Sequence, residues 1–124
     1  MRKFEDCVAW QKARALNTKI YETSAEQPFS KDWALVDQIR RAAGSTMHNI
    51  AEGFDSGSDP EFMRFLRYSF RSAGEVQSQL YVALDLGYID QAEFDDSYTT
   101  CVEVKNTTAG LIKYLKAATE TLTS

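Results

Sequence analysis

Phe62, Leu66, Ser69, Ala73, Val76, Leu80 and Ala83 recur at alternating steps of four and three, with no proline between them. A strand would need a period of two, and a lone surface helix would show a broader stripe. Steps of four and three make the narrow seam of helices packed side by side with a slight left-handed twist. Such a seam cannot be buried by its own helix. The rest of the chain, or another chain, must therefore supply partner helices of similar length.

The other segments meet that demand. A second heptad runs through Phe94, Tyr98, Cys101, Lys105, Thr108, Ile112 and Leu115. Near the start, Cys7, Trp10, Ala13, Leu16 or Asn17, and Ile20 mark the buried side of a helix that leaves Lys12, Arg14 and Lys19 outside. Leu35, Ile39, Ala42, Ala43, Thr46 and Ile50 define another. Gln27-Pro28-Phe29-Ser30 breaks the chain between these two, with Ser30 as the expected N-cap of the second helix. Gly53 and Asp55-Ser56-Gly57-Ser58 read as a turn, and Asp59 as the cap of a helix with Pro60 in its first position. Gly87 ends that helix, and Asp90 with Glu93 forms a capping box for the last one. Asn106-Thr107-Thr108-Ala109-Gly110 has the weakest helical propensity, so a local bend is expected there. The prediction is all-α: one domain over residues 1–124, an antiparallel up-down-up-down left-handed four-helix bundle with helices at about 6–24, 31–52, 60–86 and 91–120.

Candidate functional residues lie on helices two and three. Gln38, Arg41, Ser45, His48, Asn49 and Glu52 fall on one edge of helix two, beside its apolar face. Ser, His and Asn have no propensity reason to be there. Small neighbours at Ala42, Ala43 and Gly44 let another backbone come close. A hydrogen-bonded structural seam of Gln38, Arg41, Ser45, Asn49 and Glu52 is expected. On helix three, Arg64, Arg67 and Arg71 form one outward line, which with Arg40 and Arg41 is the candidate surface for nucleic acid or a protein partner. Acids such as Glu61, Glu75 and Asp85 compete for those arginines. Phe70, Tyr81 and Val82 project away from the heptad and are candidate oligomer contacts, since sizeable exposed apolar patches usually mark an interface.

Charge argues against a broad grip on RNA. Residues 1–74 carry eleven Lys or Arg against ten Asp or Glu, whereas residues 75–124 carry three against eight, for a net charge of −4. Nucleic-acid modules show a clear positive excess. Catalysis is not expected either: Ser45, His48 and Glu52 rise in parallel from one helix edge and do not converge on a point, and nothing supplies an oxyanion hole. No metal site or cofactor is expected, because there is one histidine, no Cys-x-x-Cys and no Glu-x-x-His. The Asp55 to Ser58 turn lacks the strand and the Gly-Lys-Ser/Thr ending of a phosphate cradle. Cys7 and Cys101 should both be reduced, since the bundle would hold them some 25 Å apart at 1.5 Å per residue. With no long apolar run and no signal-peptide core, the expected location is the cytoplasm, away from membrane.

Asp37-Gln38-Ile39-Arg40-Arg41-Ala42-Ala43 followed by Asn49-Ile50-Ala51-Glu52-Gly53-Phe54 resembles the signature of the four-helix-bundle proteins encoded by intervening sequences in bacterial 23S rRNA genes, the S23 ribosomal protein-like family. Trp10-Gln11, Glu61-Phe62, Phe65-Leu66, Ser72-Ala73-Gly74-Glu75, Leu80 and Leu86-Gly87-Tyr88-Ile89 match in order. The chain departs from the family's usual basic residue near Ser56, small residue at Phe70 and glycine at Arg71. The resemblance implies a homo-oligomer, and relatives that include accessory proteins of diversity-generating retroelements look like barrel-shaped pentamers. Those retroelement relatives are strongly basic and act with RNA and a reverse transcriptase. The function it implies for this chain is a non-enzymatic oligomeric scaffold or interaction protein. An RNA-binding accessory protein with a multivalent arginine surface is the alternative.

Overall fold

The structure, a computed structural model, describes residues 1–123. Four helices account for most of it: α1 (Val8–Ser24), α2 (Trp33–Asp55), α3 (Asp59–Asp85) and α4 (Gln91–Thr123), with short 3-10 turns at Phe4–Asp6 and Phe29–Lys31. There is no strand among the described residues. Each helix packs on the next, and α4 returns beside α1, so the four stand in a ring of neighbours around one core. All seven heptad residues of α3 are buried, as are Ala13, Leu16, Ile20, Ile39 and Ile50 from the first two helices.

The helix boundaries follow the chain's punctuation with small corrections. Asp6 lies in the first 3-10 turn, where its carboxylate accepts from the Arg2 and Lys3 amides, and α1 begins at Val8. Ser30 does not cap α2. Phe29 is buried and holds residues 29–31 in a 3-10 turn, so the cap passes to Asp32, whose Oδ1 accepts from the Leu35 amide at 3.2 Å. Likewise Ser58, not Asp59, caps α3 through the Glu61 amide at 3.3 Å, leaving Asp59 and Pro60 in the first turn. Gly53 is helical and buried, not part of the turn. Its position against Phe62 and Phe65 lets α2 and α3 approach closely at their connected ends.

The opposite end is tied by Tyr88. Gly87 adopts a φ of 74°, and the Tyr88 amide bonds back to the Ala83 carbonyl at 2.8 Å, which closes α3 in the Schellman manner. The Tyr88 ring stacks on Phe29, and its hydroxyl donates to Asp32 Oδ2 at 2.9 Å. That hydrogen bond to a carboxylate holds the phenol proton above its ordinary range. Asp32 thus caps α2 and links the α3–α4 turn to it. The Asp90 and Glu93 capping box forms as expected, with both amides bonded reciprocally.

Helix α4 shows no break at Asn106 to Gly110. The Thr107 and Thr108 hydroxyls donate to carbonyls three and four residues back, and the buried Thr108 is satisfied in this way. Two lysines expected outside are also drawn in. Lys12 pairs with Glu103 at 3.0 Å, and Lys19 bridges Asp96 and Thr100 at 2.8 and 3.0 Å, which stitches α1 to α4.

Cys7 and Cys101 are buried free thiols. Burial pushes the Cys101 thiol from an ordinary 9.0 up to about 12. The unfolded chain releases this proton near its ordinary value while the folded chain still holds it. The unfolded state therefore gains as pH rises, and stability is expected to fall between about pH 9 and 12. Denaturation midpoints of wild type and Cys101→Ala across that window test this: a decline of the same size in both would assign it to other groups.

Candidate interaction surface

The polar edge of α2 stands between two clefts. The larger, about 1120 Å³, runs along α1 and α2 from Trp33 past Arg40 and Gly44 to Glu52. The smaller lies between α2 and α3, with Gln38, Arg41, Ser72 and Gln79 on its walls.

Only part of the expected seam is joined within the subunit. Asn49 Nδ2 donates to the Ser45 carbonyl and hydroxyl at 2.8 Å each, and Ser72 Oγ donates to Ser45 Oγ at 2.9 Å, so one hydrogen-bonded chain crosses from α2 to α3. One layer deeper, the Ser69 hydroxyl donates to the Thr46 carbonyl at 2.8 Å. Gln38, Arg41 and Glu52 are exposed and do not join it. Among the described residues Arg41 pairs only with Asp37, one turn away at 2.9 Å, an exposed couple worth well under about 1 kcal/mol. Glu52 and His48 have no hydrogen bond or ion pair among the described residues. The wheel of one helix cannot show this difference, because the seam depends on Ser72 of another.

Two buried acceptors beside α2 are left over. Asn17 Oδ1, in the larger cleft, and Gln79 Oε1, in the smaller, have no hydrogen-bond partner among the described residues. An unpaired buried polar atom costs about 1 to 3 kcal/mol.

The arginines separate into engaged and free. Arg40 is folded back: Nε donates to Ser24 Oγ at 2.9 Å, a terminal nitrogen to the Tyr21 carbonyl at 3.3 Å, and the guanidinium lies 4.3 Å from the Tyr21 ring centroid. Arg64 is held by Glu61 at 2.8 Å and by the Tyr68 hydroxyl at 3.2 Å, and these hydrogen bonds raise its pKa further. Arg67 and Arg71 are exposed and unpaired among the described residues; Glu75 and Asp85 do not reach them.

Large apolar side chains are exposed on several parts of the bundle, including Tyr114, Met1, Leu86 and Val8, and two groups flank α2 and α3. Phe70, Tyr81 and Val82 are 37%, 50% and 44% exposed. Phe70 lies under Lys105 of α4, and Tyr81 packs on Phe94 and Tyr98, so α4 covers each in part. On the α1–α2 side, Trp33 is 80% exposed beside Tyr21 at 46%. The sequence reading missed Trp33. Its lack of any role in the Leu35 to Ile50 stripe was the available signal.

Residues 5–110 match the family described as 23S rRNA-intervening sequence protein. The chain belongs to that family. A solved structure of a protein with unknown function from the S23 ribosomal protein family of Bacteroides thetaiotaomicron superposes with a TM-score of 0.79 at 20% identity, covering 86% of this chain and 96% of that one. At that identity the likeness establishes the fold. No curated protein matches the chain by sequence. As a 23S rRNA-intervening sequence protein it shares the four-helix architecture, and no helix among the described residues is long and apolar enough to cross a membrane. No group of three or more His, Cys, Asp or Glu able to hold a metal ion occurs among the described residues.

Proposed function

We propose that this protein is a non-enzymatic cytoplasmic scaffold whose working form is a closed ring of identical subunits, five in number. The observation that carries the reading is the pair of unlike apolar surfaces on different sides of the bundle, Trp33 with Tyr21 on one and Phe70, Tyr81 and Val82 on the other. Faces that differ from each other meet head to tail, and such contacts close into rings when the rotation allows. The unpaired acceptors of Asn17 and Gln79 add support, since an apposed chain can supply their donors. The number five rests on the resemblance of the sequence to barrel-forming relatives. Light scattering on the purified chain at micromolar concentration should give five times the subunit mass, and a monomer would overturn the ring.

A second reading, an RNA-binding accessory protein, draws support from one observation: Arg67 and Arg71 are exposed without ion pairs. Phosphate contact would make RNA affinity fall with salt at a log-log slope of roughly 0.7 per neutralised phosphate of a single strand. The net charge of −4 on every subunit opposes it.

A further inference from the structure

Antiparallel packing fixes the relative heights of residues on α2 and α3. Hydrogen bonds place Thr46 level with Ser69 and Ser45 level with Ser72, and Gly53 abuts Phe62. Continuing those pairs, Glu52 stands level with Arg64, Asn49 with Arg67, and Trp33 with Val82, each to within about one residue. A cyclic axis parallel to the helices leaves every height unchanged from one copy to the next. In such a ring a residue meets only what stands near its own level in its neighbour.

The two surfaces agree at both ends under that constraint. At the lower end of α2, Glu52 is exposed and unpaired, and the facing level of α3 carries the unpaired Arg67 about 4.5 Å higher at 1.5 Å per residue. At the upper end, the 80% exposed Trp33 stands level with Val82 and Tyr81, 44% and 50% exposed. Turning one copy upside down would set Trp33 against the arginines and Glu52 against the apolar pair. We propose that the occupant of the α1–α2 cleft is α3 of a second copy of this chain, held upright with Trp33 on Val82 and Tyr81 and with Glu52 paired to Arg67. This contact rests on the ring reading and adds its register: the ring is polar, with all subunits pointing one way, and Arg67 is consumed by the interface.

Charge reversal and cross-linking test it on the full-length chain. Glu52→Arg alone and Arg67→Glu alone should each weaken assembly at least about tenfold by placing like charges together. The double variant should restore it. Neither side chain has a partner among the described residues of its own subunit, so the helix signal in circular dichroism should be unchanged. Under mild oxidation, Trp33→Cys combined with Val82→Cys should form disulfide-linked multimers, whereas Trp33→Cys with Phe70→Cys, some twelve residues out of level, should not. A wild-type monomer overturns the ring and this contact with it. A wild-type oligomer whose mass survives both single reversals, or whose cross-links favour the Phe70 pair, overturns the register and leaves the ring standing.

Discussion

Phe29→Ala is expected to lower the stability of the fold by about 3 to 5 kcal/mol, the usual cost of emptying a fully buried aromatic site. Phe29 is 1% exposed and stacks on Tyr88 with 5.5 Å between ring centroids. It fills the end of the bundle where the α1–α2 and α3–α4 connections meet. Its loss also loosens the stacking that holds the Tyr88 hydroxyl on Asp32, the cap of α2. For a domain whose total stability is about 5 to 15 kcal/mol, this is a large fraction. Urea denaturation should show a lower midpoint at unchanged slope. A loss under about 1 kcal/mol would mean that this end collapses onto the vacancy, and the plug would then be dispensable.

Gly53→Ala sets two effects of opposite sign against each other. By helix propensity alone, alanine is favoured by about 1 kcal/mol. The new Cβ, however, would lie 2.7 Å from Phe65 Cβ and 3.0 Å from Phe62 Cδ1. Phe65 Cβ is fixed to its backbone and cannot swing aside, so α3 itself would have to move. Overpacking of that kind costs about 1 to 3 kcal/mol, and the steric effect is expected to win. Gly110→Ala supplies the internal comparison: nothing lies within 4 Å of the position its methyl group would take, so that variant should gain up to about 1 kcal/mol. Thermal melts of both variants decide the matter, and stabilisation by Gly53→Ala would show that the α2–α3 contact is looser than its geometry.

Several boundaries were ambiguous in the sequence for one physical reason. Ser30 and Asp32 can each cap a helix, as can Ser58 and Asp59, and local propensity does not choose between them. Burial of Phe29 chooses Asp32. The extended backbone at Ser58 chooses that serine as the cap of α3. Gly53 looked like a turn residue because glycine usually marks one; the approach of Phe62 and Phe65 from a different helix is what calls for it.

What the sequence by itself determined was the set of helices and their buried stripes. Heptad spacing is a property of one helix, and every apolar position of α3 that it marked is in the core. Only the tertiary structure decided which polar groups find partners. Ser45 needs Ser72, Lys12 needs Glu103 and Lys19 needs Asp96, all contributed by other helices. The same holds for the surface: Arg40 is held by Tyr21 and Ser24, while Arg67 has no partner among the described residues of its own subunit. Periodicity records the direction a side chain takes from its own axis, whereas pairing depends on what stands opposite at the same height, and that is set only when the helices pack.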